Sequence, residues 1–592
     1  MSTPLSSPLH NLRTLMDHEN LSGFIVPHGD EFQNEFLPLS SERLQFLTKF
    51  DGSAGLAIIL KDTAALFIDG RYTLAAKGQI DEQAFALLPW CLENIQIFLK
   101  SNLLENMILG FDPWTLTEFE FSSLNSVCQP LKIHLKSLSF NPVDAIWTDR
   151  PSFPSSKAFL HEEAYSGETS LSKRTRLGTE IQNAGAEALY IGLPESLNWL
   201  LNIRGEDVPY TPLSLCTGIL HQDASVDVFT NLNKISPSLQ KSLGENIRFH
   251  ESQELEQILK SLKGLIWIDS TRAPLAVLNL IKTSKTDLLI KQDPCLLPKA
   301  IKNTIEIEGI RMAHKKDAKA LIQFFKILDD LISQNVPITE IEAAKKLDHL
   351  RQEMPHCWGP SFETISAVGS NAAIVHYHPS LTSNHPLTKN TVYLVDSGGQ
   401  YFEGTTDVTR TIFLGGSPPF HLKEAFTRVL KGHIALATIK FPHGTTGHQL
   451  DVLARQFLWE KGLDYDHGTG HGVGSFLGVH EGPQNISKRA SSTPLLPGMI
   501  LSNEPGFYKS NDFGIRIENL VLVIPWKDGD RPFYAFETLT LVPFDQSLIL
   551  VDLLTPFEKD WINQYHKRIF EELQEDLDSK TQQWLRTATQ IF

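Results

Sequence analysis

The sequence predicts a multi-domain chain of the α/β (α+β) class, and three observations carry that expectation. First, the 592 residues are 41% apolar and 21% charged: an ordinary globular composition on a chain too long for one hydrophobic core. Second, short apolar runs and helix-period stretches share the first half, an α/β beginning. Third, strand-like runs dominate beyond residue 390, and a helical segment closes the chain.

Taken in order, residues 9–17 have helical spacing through Leu9, Leu12, Leu15 and Met16. "SGFIVP", "AGLAIIL" and "AALFID" then read as buried strands separated by Gly, Asp and Lys turns. Residues 148–174 are polar, carry two prolines and show no clean period, as an interdomain linker does, which places a boundary near residue 158. After it the order of the first region returns in "ALYIGLPESLNWLLNIRGEDVPYTPL", a diverged repeat with a period near 165 residues. A third domain opens on a long helix, with Asn303 and Glu306 as a capping pair and Leu321, Phe325, Leu328 and Ile332 as one apolar stripe. The predicted domains are therefore 1–158, 159–302 and 303–592. Within the last, "TVYLVDSG", "DVTRTIFLG", "MILSNEPG" and "FGIRIENLVLVI" read as strands, interrupted by one helical piece around 421–438. A helical extension is expected from about residue 530. Its main helix is marked by Thr555 as N-cap, Pro556, Glu558 and the stripe Trp561, Tyr565, Ile569, which should dock on the third domain or on a partner subunit.

Composition excludes several classes. A net charge of −16 repels phosphate backbones and anionic lipid, and no basic patch overrides it, so nucleic acid is not an expected partner. No run of about 18 apolar residues occurs, so no membrane association is expected. Five scattered cysteines without a CxxC pair fit neither a disulfide framework nor a zinc-thiolate site. With no basic-then-apolar start, the expected location is cytoplasmic.

The chemistry concentrates in dispersed carboxylates and in "DHGTGHGVGSFLGVHEGP", residues 466–483. Eighteen positions with six glycines and three histidines are a poor way to build core, so something approaches this backbone closely. Asp396 ends one strand and Asp407 begins the returning one. With a turn centred between Tyr401 and Phe402 they face each other, a destabilising like-charge pair unless a cation neutralises it. Glu504 follows "MILS", and alternation in "GIRIEN" puts Ile515 and Ile517 on one face and Arg516 and Glu518 on the other. Taken singly, each has a structural reading: Asp396 as a turn residue, Glu504 as a strand end, Arg516 with Glu518 as an ion pair. Together, four carboxylates and one of the histidines make an oxygen-rich site with too many anions for one ion, better suited to Mn²⁺, Mg²⁺ or Co²⁺ than to structural zinc.

This set, with "VDSGGQYFEGTTDVTRT", "SNEPGFY", "FDGSAGLAIILKDTAALFIDGRY" and "NIRGEDVPY", resembles the pita-bread dinuclear metallopeptidases, and within them the long, three-domain cytosolic aminopeptidase P family. The resemblance runs from about residue 9 to the C-terminal helices. It implies two creatinase-N-like α/β domains before a pita-bread catalytic domain. It also implies a pair of divalent ions, Mn²⁺ foremost with Co²⁺ or Zn²⁺ as alternatives, on Asp396, Asp407, His471, Glu504 and Glu518. In that family pattern Asp407 and Glu518 bridge ions roughly 3.5 to 4 Å apart that share a water or hydroxide. Glu504 accepts its proton, and His376 and His480 complete the catalytic set. His376, His467, His480, Arg516 and Phe362 line the substrate site.

The implied reaction removes the N-terminal residue from a peptide whose second residue is proline. The implied assembly is a homodimer. Two other readings stand beside it: a prolidase acting only on dipeptides, and a non-catalytic binding module on the same fold, which would lack the metal ligands. "SFETIS" with Glu363 and "VHYHP" with His378 depart from the family pattern, which leaves preference for the first residue open.

Overall fold

The computed structural model describes residues 7–284 and 286–592, and the chain forms two compact units: Met1–His161 with Glu168–Cys295, and Glu162–Gly167 with Leu296–Phe592.

The first unit holds two six-stranded sheets. One contains β1 (Gly23–Pro27), β2 (Gly55–Leu60), β3 (Ala64–Ile68), β4 (Ala86–Pro89), β5 (Ile108–Phe111) and β6 (His134–Ser137). The other contains β7 (Ala188–Ile191), β8 (Thr217–His221), β9 (Val226–Thr230), β10 (Ile247–Glu251), β11 (Leu265–Ile268) and β12 (Asp287–Ile290). The orders are β4-β3-β2-β1-β5-β6 and β10-β9-β8-β7-β11-β12. In the first, the pairs β1–β2 and β2–β3 are antiparallel and the others parallel. The second repeats this pattern pair for pair. Equivalent strands begin at Gly23 and Ala188, so the diverged repeat seen in the sequence is one topology built twice at the expected spacing. The central strands are uninterrupted apolar runs because both of their faces are buried. The polar stretch expected as a linker is part helix: Thr169 caps a helix over Ser170–Asn183, its Ser and Thr residues serving the N-terminus rather than a loop.

The second unit opens with α1 (Thr304–Ser333), started by the expected Asn303–Glu306 capping box. Leu321, Phe325, Leu328 and Ile332 bury their stripe in the largest core cluster. Next comes the hairpin of β13 (Thr391–Ser397) and β14 (Val408–Leu414). Its register corrects the sequence expectation. Tyr401 pairs Gly404 and Asp396 pairs Thr409, so the turn centres between Phe402 and Glu403, and Asp407 lies two positions along the same face instead of opposite Asp396.

Two helices follow where one was expected: α2 (Phe420–Thr438) and α3 (Gly447–Trp459). The second is started by a Thr446–Gln449 capping box and buries Leu450, Ala454 and Leu458. The strands that follow α3 are β15 (Gly470–Gly472), β16 (Glu481–Ile486), β17 (Ile500–Asn503), β18 (Gly506–Lys509), β19 (Phe513–Arg516), β20 (Asn519–Trp526) and β21 (Phe533–Thr538). One sheet runs Phe441–Pro442, β21, β20, β17, β15, β16. The segment after 530 therefore begins as the strand β21, not as helix, because it completes this sheet. Helix α4 (Pro556–Leu573) has the expected Thr555–Glu558 capping box. Its Tyr565 and Ile569 dock on the core of the same unit, Tyr565 stacking on Phe544 at 5.0 Å.

Candidate metal centre

Four of the five predicted ligands sit at or beside a strand end, where a side chain can turn inward from a rigid support. Asp396 is the last residue but one of β13, Asp407 immediately precedes β14, Glu504 follows β17, and Glu518 lies in the two-residue break between β19 and β20, while His471 is the middle of the short β15. Alternation carries across that break, so Ile515 and Ile517 enter the core while Arg516 and Glu518 take the opposite side. The glycines around His471 are explained by proximity: a Cβ on Gly470 would lie 2.0 Å from the Ser502 carbonyl oxygen.

The structure brings three of the five ligands within direct reach of one another, and a fourth, Glu504, within reach of His471. One atom each of Asp407, His471 and Glu518 lie within 4.8 Å of one another. His471 Nε2 is 3.5 Å from Asp407 Oδ2 and 3.5 Å from Glu504 Oε1. Its Nδ1 faces the Gly472 carbonyl oxygen at 2.9 Å and must donate there, so Nε2 faces the acidic cluster and offers it a lone pair whenever the ring is neutral. Ser502 orients both partners, accepting from the His471 N–H at 3.0 Å and donating to Glu504 Oε1 at 3.0 Å. The fifth ligand, Asp396, joins through Arg516. Its Oδ2 accepts from Nη2 at 2.6 Å and Nε at 3.1 Å, while Thr409 connects Arg516 Nε to Glu518 Oε2 at 3.1 and 2.9 Å.

The electrostatics are those of a site short of positive charge. Burial pushes Asp396 up to about 6, with the charges of Asp407 and Glu504 adding to it and Arg516 opposing. Burial raises Glu504, and burial with the charges of Asp407, Asp396 and Glu504 raises Glu518 well above its ordinary value. Burial acts against a proton on His471, but Asp407 and Glu504 outweigh it and lift that imidazole to about 9. Asp396 Oδ1 and Asp407 Oδ1 are buried with no hydrogen-bond partner. Orphaned carboxylate oxygens beside an imidazole lone pair fit divalent cations, and the donor set is hard and oxygen-rich.

Sequence reasoning missed the layer behind the ligands. Arg410, buried in β14, donates to the Glu518 carbonyl oxygen at 2.6 Å and to Asn519 Oδ1 at 2.7 Å. His433 on α2 donates from Nδ1 to the Asn503 carbonyl oxygen at 3.1 Å and accepts at Nε2 from Asn519 Nδ2 at 3.1 Å. Asn503 and Asn519 directly adjoin Glu504 and Glu518, so this network fixes the backbone of both glutamates. Its one sequence signal was an arginine inside an apolar strand. Tyr508 was also missed: its hydroxyl accepts from Arg516 Nη1 at 2.7 Å and meets His467 Nε2 at 2.9 Å.

Of the residues expected to face substrate, His467 and His480 stand beside this cluster. His467 Nδ1 lies 3.9 Å from Glu504 Oε2, and the rings of His480 and His471 stand edge to face, 4.3 Å between centroids. The segment holding His376 reaches the cluster through Arg516 Nη1, which donates to the Val375 carbonyl oxygen at 3.2 Å. Phe362 follows Ser361, whose N–H and hydroxyl bond the carbonyl oxygens of Gly398 and Thr406 at 3.0 and 2.8 Å. Arg516 is committed on the protein side to Asp396, Thr409, Tyr508 and Val375. The two departures from the family pattern meet each other, His378 Nδ1 standing 3.7 Å from Glu363 Oε2.

Strand-end acidic residues and a histidine converging on one buried centre define a pita-bread metallopeptidase. Consistently, the model of metallopeptidase family M24 matches residues 308–525, with its C-terminal region at 532–592. Creatinase/prolidase N-terminal domain models match 8–143 and 149–306. A probable Xaa-Pro aminopeptidase P of Laccaria bicolor is 40% identical over 597 aligned residues, covering 98% of this chain and 92% of that one. A second, of Sordaria macrospora, is 38% identical over 100% of both. The solved X-prolyl aminopeptidase of Caenorhabditis elegans, described as a cytosolic enzyme with a di-nuclear active site, superposes with a TM-score of 0.95 at 32% identity over 99% of both chains. The chain belongs to the aminopeptidase P family.

Proposed function

We propose that this chain is a metal-dependent exopeptidase that releases the first residue of peptides whose second residue is proline. The observation that carries the reading is the cluster of Asp407, His471 and Glu518, with Glu504 beside His471, Asp396 tied in through Arg516, and buried carboxylate oxygens left unpartnered, in a chain aligned end to end with the aminopeptidase P family.

These five residues would hold two divalent ions, Mn²⁺ foremost given the hard donors. Bound there, the ions supply Lewis acidity and a water acidic enough to attack near neutral pH. Glu504, whose Oε1 accepts from the Ser502 hydroxyl, would serve as the proton acceptor during attack. His376 and His480 donate to the scissile carbonyl as it acquires negative charge. His467, Phe362 and the aliphatic stem of Arg516 wall the substrate pocket, while the Arg516 guanidinium keeps Asp396 oriented. The acidic cluster attracts the cationic α-amino group of the substrate, which favours cleavage after the first residue. An imide before proline has no N–H and restricts the residue before it, so a dedicated pocket is required.

The same reading places the chain in the cytoplasm, as a homodimer of three-domain subunits with boundaries near 158 and 302. Among the described residues no helix is long and apolar enough to cross a membrane. One assay tests the activity. Purified protein with Mn²⁺ should release Xaa from an Xaa-Pro-Yaa tripeptide, and Asp407→Asn or His471→Ala should abolish this. Cleavage of Xaa-Pro dipeptides alone would establish a prolidase, and stoichiometric metal with neither cleavage a binding module.

A further inference from the structure

The segment between Val368 and Leu387 carries His376, and the structure holds it from two sides. On the side of the metal centre, Arg516 Nη1 donates to the Val375 carbonyl oxygen at 3.2 Å. The segment also lies flush on β19: a Cβ on Gly514 would stand 1.6 Å from the Ala372 carbonyl oxygen. On the other side is one carboxylate. Glu340, fully buried at the first turn of the helix Glu340–Gln352, accepts at Oε1 from the Val368 N–H at 2.7 Å and Asn371 Nδ2 at 3.0 Å. At Oε2 it accepts from the His385 N–H at 2.8 Å and meets the Tyr377 hydroxyl at 2.9 Å, whose one proton it shares with the Ser383 carbonyl oxygen at 2.7 Å.

Three features separate this carboxylate from an ordinary helix-start acid. The helix does not need it as a cap, because Thr339 and Glu342 form the capping box. Among the described residues no Lys, Arg or His forms an ion pair with it, so its buried charge is offset by hydrogen bonds alone. All four donors come from the single stretch 368–385. Two are main-chain N–H groups at its ends, and one is the hydroxyl of Tyr377, the residue next to His376. An ionised carboxylate is acceptor-only and serves both N–H groups at once, whereas a glutamine amide would turn its own N–H toward one of them.

We propose that Glu340 is a positioning residue: its buried carboxylate gathers the 368–385 segment and, through Tyr377, sets the place of His376 relative to the scissile carbonyl. The inference rests on the role given to His376 above. The segment is then pinned at Val375 by Arg516 and at Tyr377 by Glu340, leaving the residue between them with little freedom. A misplacement of about 1 Å in a group that contacts the reacting carbonyl costs on the order of 100-fold in rate, which is the leverage a residue at this distance can exert.

The test uses the full-length, Mn²⁺-loaded protein with an Xaa-Pro-Yaa tripeptide, and the variants Glu340→Gln, Tyr377→Phe, His376→Ala and Glu340→Gln/His376→Ala. Glu340→Gln should lower kcat by roughly 10- to 100-fold with KM changed by less than about threefold, at unchanged Mn²⁺ affinity by titration calorimetry. Tyr377→Phe should shift kcat the same way by less, and it carries the test if Glu340→Gln does not fold. The double variant should fall within about twofold of His376→Ala alone, because the two residues act as one unit. Wild-type kcat in Glu340→Gln or Tyr377→Phe, or multiplicative losses in the double variant, overturns the proposal while leaving the role of His376 intact. Wild-type kinetics in His376→Ala overturns that role, and with it the proposal.

Discussion

Arg516 binds one oxygen of Asp396 and leaves the other bare: Nη2 and Nε meet Oδ2 at 2.6 and 3.1 Å, while Oδ1 is buried with no hydrogen-bond partner. The guanidinium thus aims a carboxylate without occupying it. Lysine cannot reproduce this, because one ammonium cannot reach Asp396, Tyr508 and the Val375 carbonyl oxygen together. Arg516→Lys should weaken Mn²⁺ binding by about 10- to 100-fold, the range for losing the partner of a metal ligand. Titration calorimetry on the chelator-treated protein measures it.

Metal removal should cost stability as well as activity. Without cations the buried carboxylates repel one another and lift their own proton affinity, as burial and neighbouring charge do for Glu518. Ions that bind only the folded state add about 2.7 kcal/mol at a concentration 100 times their Kd. Adding Mn²⁺ to EDTA-treated protein should therefore raise Tm, and Asp407→Asn should shrink the increment. An equal increment in both would show that the ions bind elsewhere.

The acid limb of stability has an identifiable contributor away from the metal centre. Burial, with Arg410 adding to it, lowers His566 to about 3. Geometry agrees, since the Phe544 N–H points at Nε2 at 3.1 Å and needs a lone pair there. Because the folded pKa lies below the unfolded one, the unfolded chain binds more protons between about pH 6.5 and pH 3. The contribution is thus complete above pH 6.5 and is lost as pH falls through that window, with an upper bound on the order of 5 kcal/mol. Urea midpoints of EDTA-treated protein should fall less steeply below pH 6.5 in His566→Gln, whose amide oxygen can accept the same N–H and does not titrate.

A buried triad lies beside His480. Glu481 accepts from Lys299 Nζ at 2.6 Å and Lys302 Nζ at 2.5 Å, all three side chains being buried. Removing the shared anion leaves two ammonium groups uncompensated, whereas removing one lysine leaves a neutral pair. Glu481→Gln should destabilise by about 3–5 kcal/mol, the cost of breaking a buried pair, and Lys302→Met by clearly less. Urea denaturation of both variants with Mn²⁺ present decides the order.

Legibility in the sequence followed locality. Helix starts such as Asn303–Glu306 and Thr555–Glu558 were readable because both partners of a capping box lie three residues apart. The metal ligands were readable as a set through their resemblance to a known family pattern, whereas singly Asp396 and Glu504 read as turn and strand-end residues. The hairpin register was misread because its turn, Phe402-Glu403, lacks the Gly or Asn that normally marks one. Helix α3 was missed because glycines in "HGTTGHQL" suggest a loop, although Thr446 and Gln449 already spelled its cap. The network of Arg410, His433, Asn503 and Asn519 was out of reach: its partners lie 70 to 109 positions apart, and no local pattern announces such pairing.

The close seat of the His376 segment on β19 makes a final prediction. Ala372 places its carbonyl oxygen where a Cβ of residue 514 would stand, 1.6 Å away, with the Ala373 nitrogen at 3.0 Å. These are main-chain atoms that cannot rotate aside, so Gly514→Ala must push the segment off the strand or bend the strand itself. Bending is resisted, since Gly514 is paired with Tyr508 and flanked by Ile515 in the core. The segment therefore moves, taking Val375 away from Arg516. Gly514→Ala should lower kcat/KM for an Xaa-Pro-Yaa tripeptide by at least about tenfold, while Mn²⁺ affinity changes little because Arg516 keeps its two bonds to Asp396. Faster hydrogen exchange confined to 369–377 would locate the displacement. Full activity in the variant would mean that the segment can shift without disturbing the reaction.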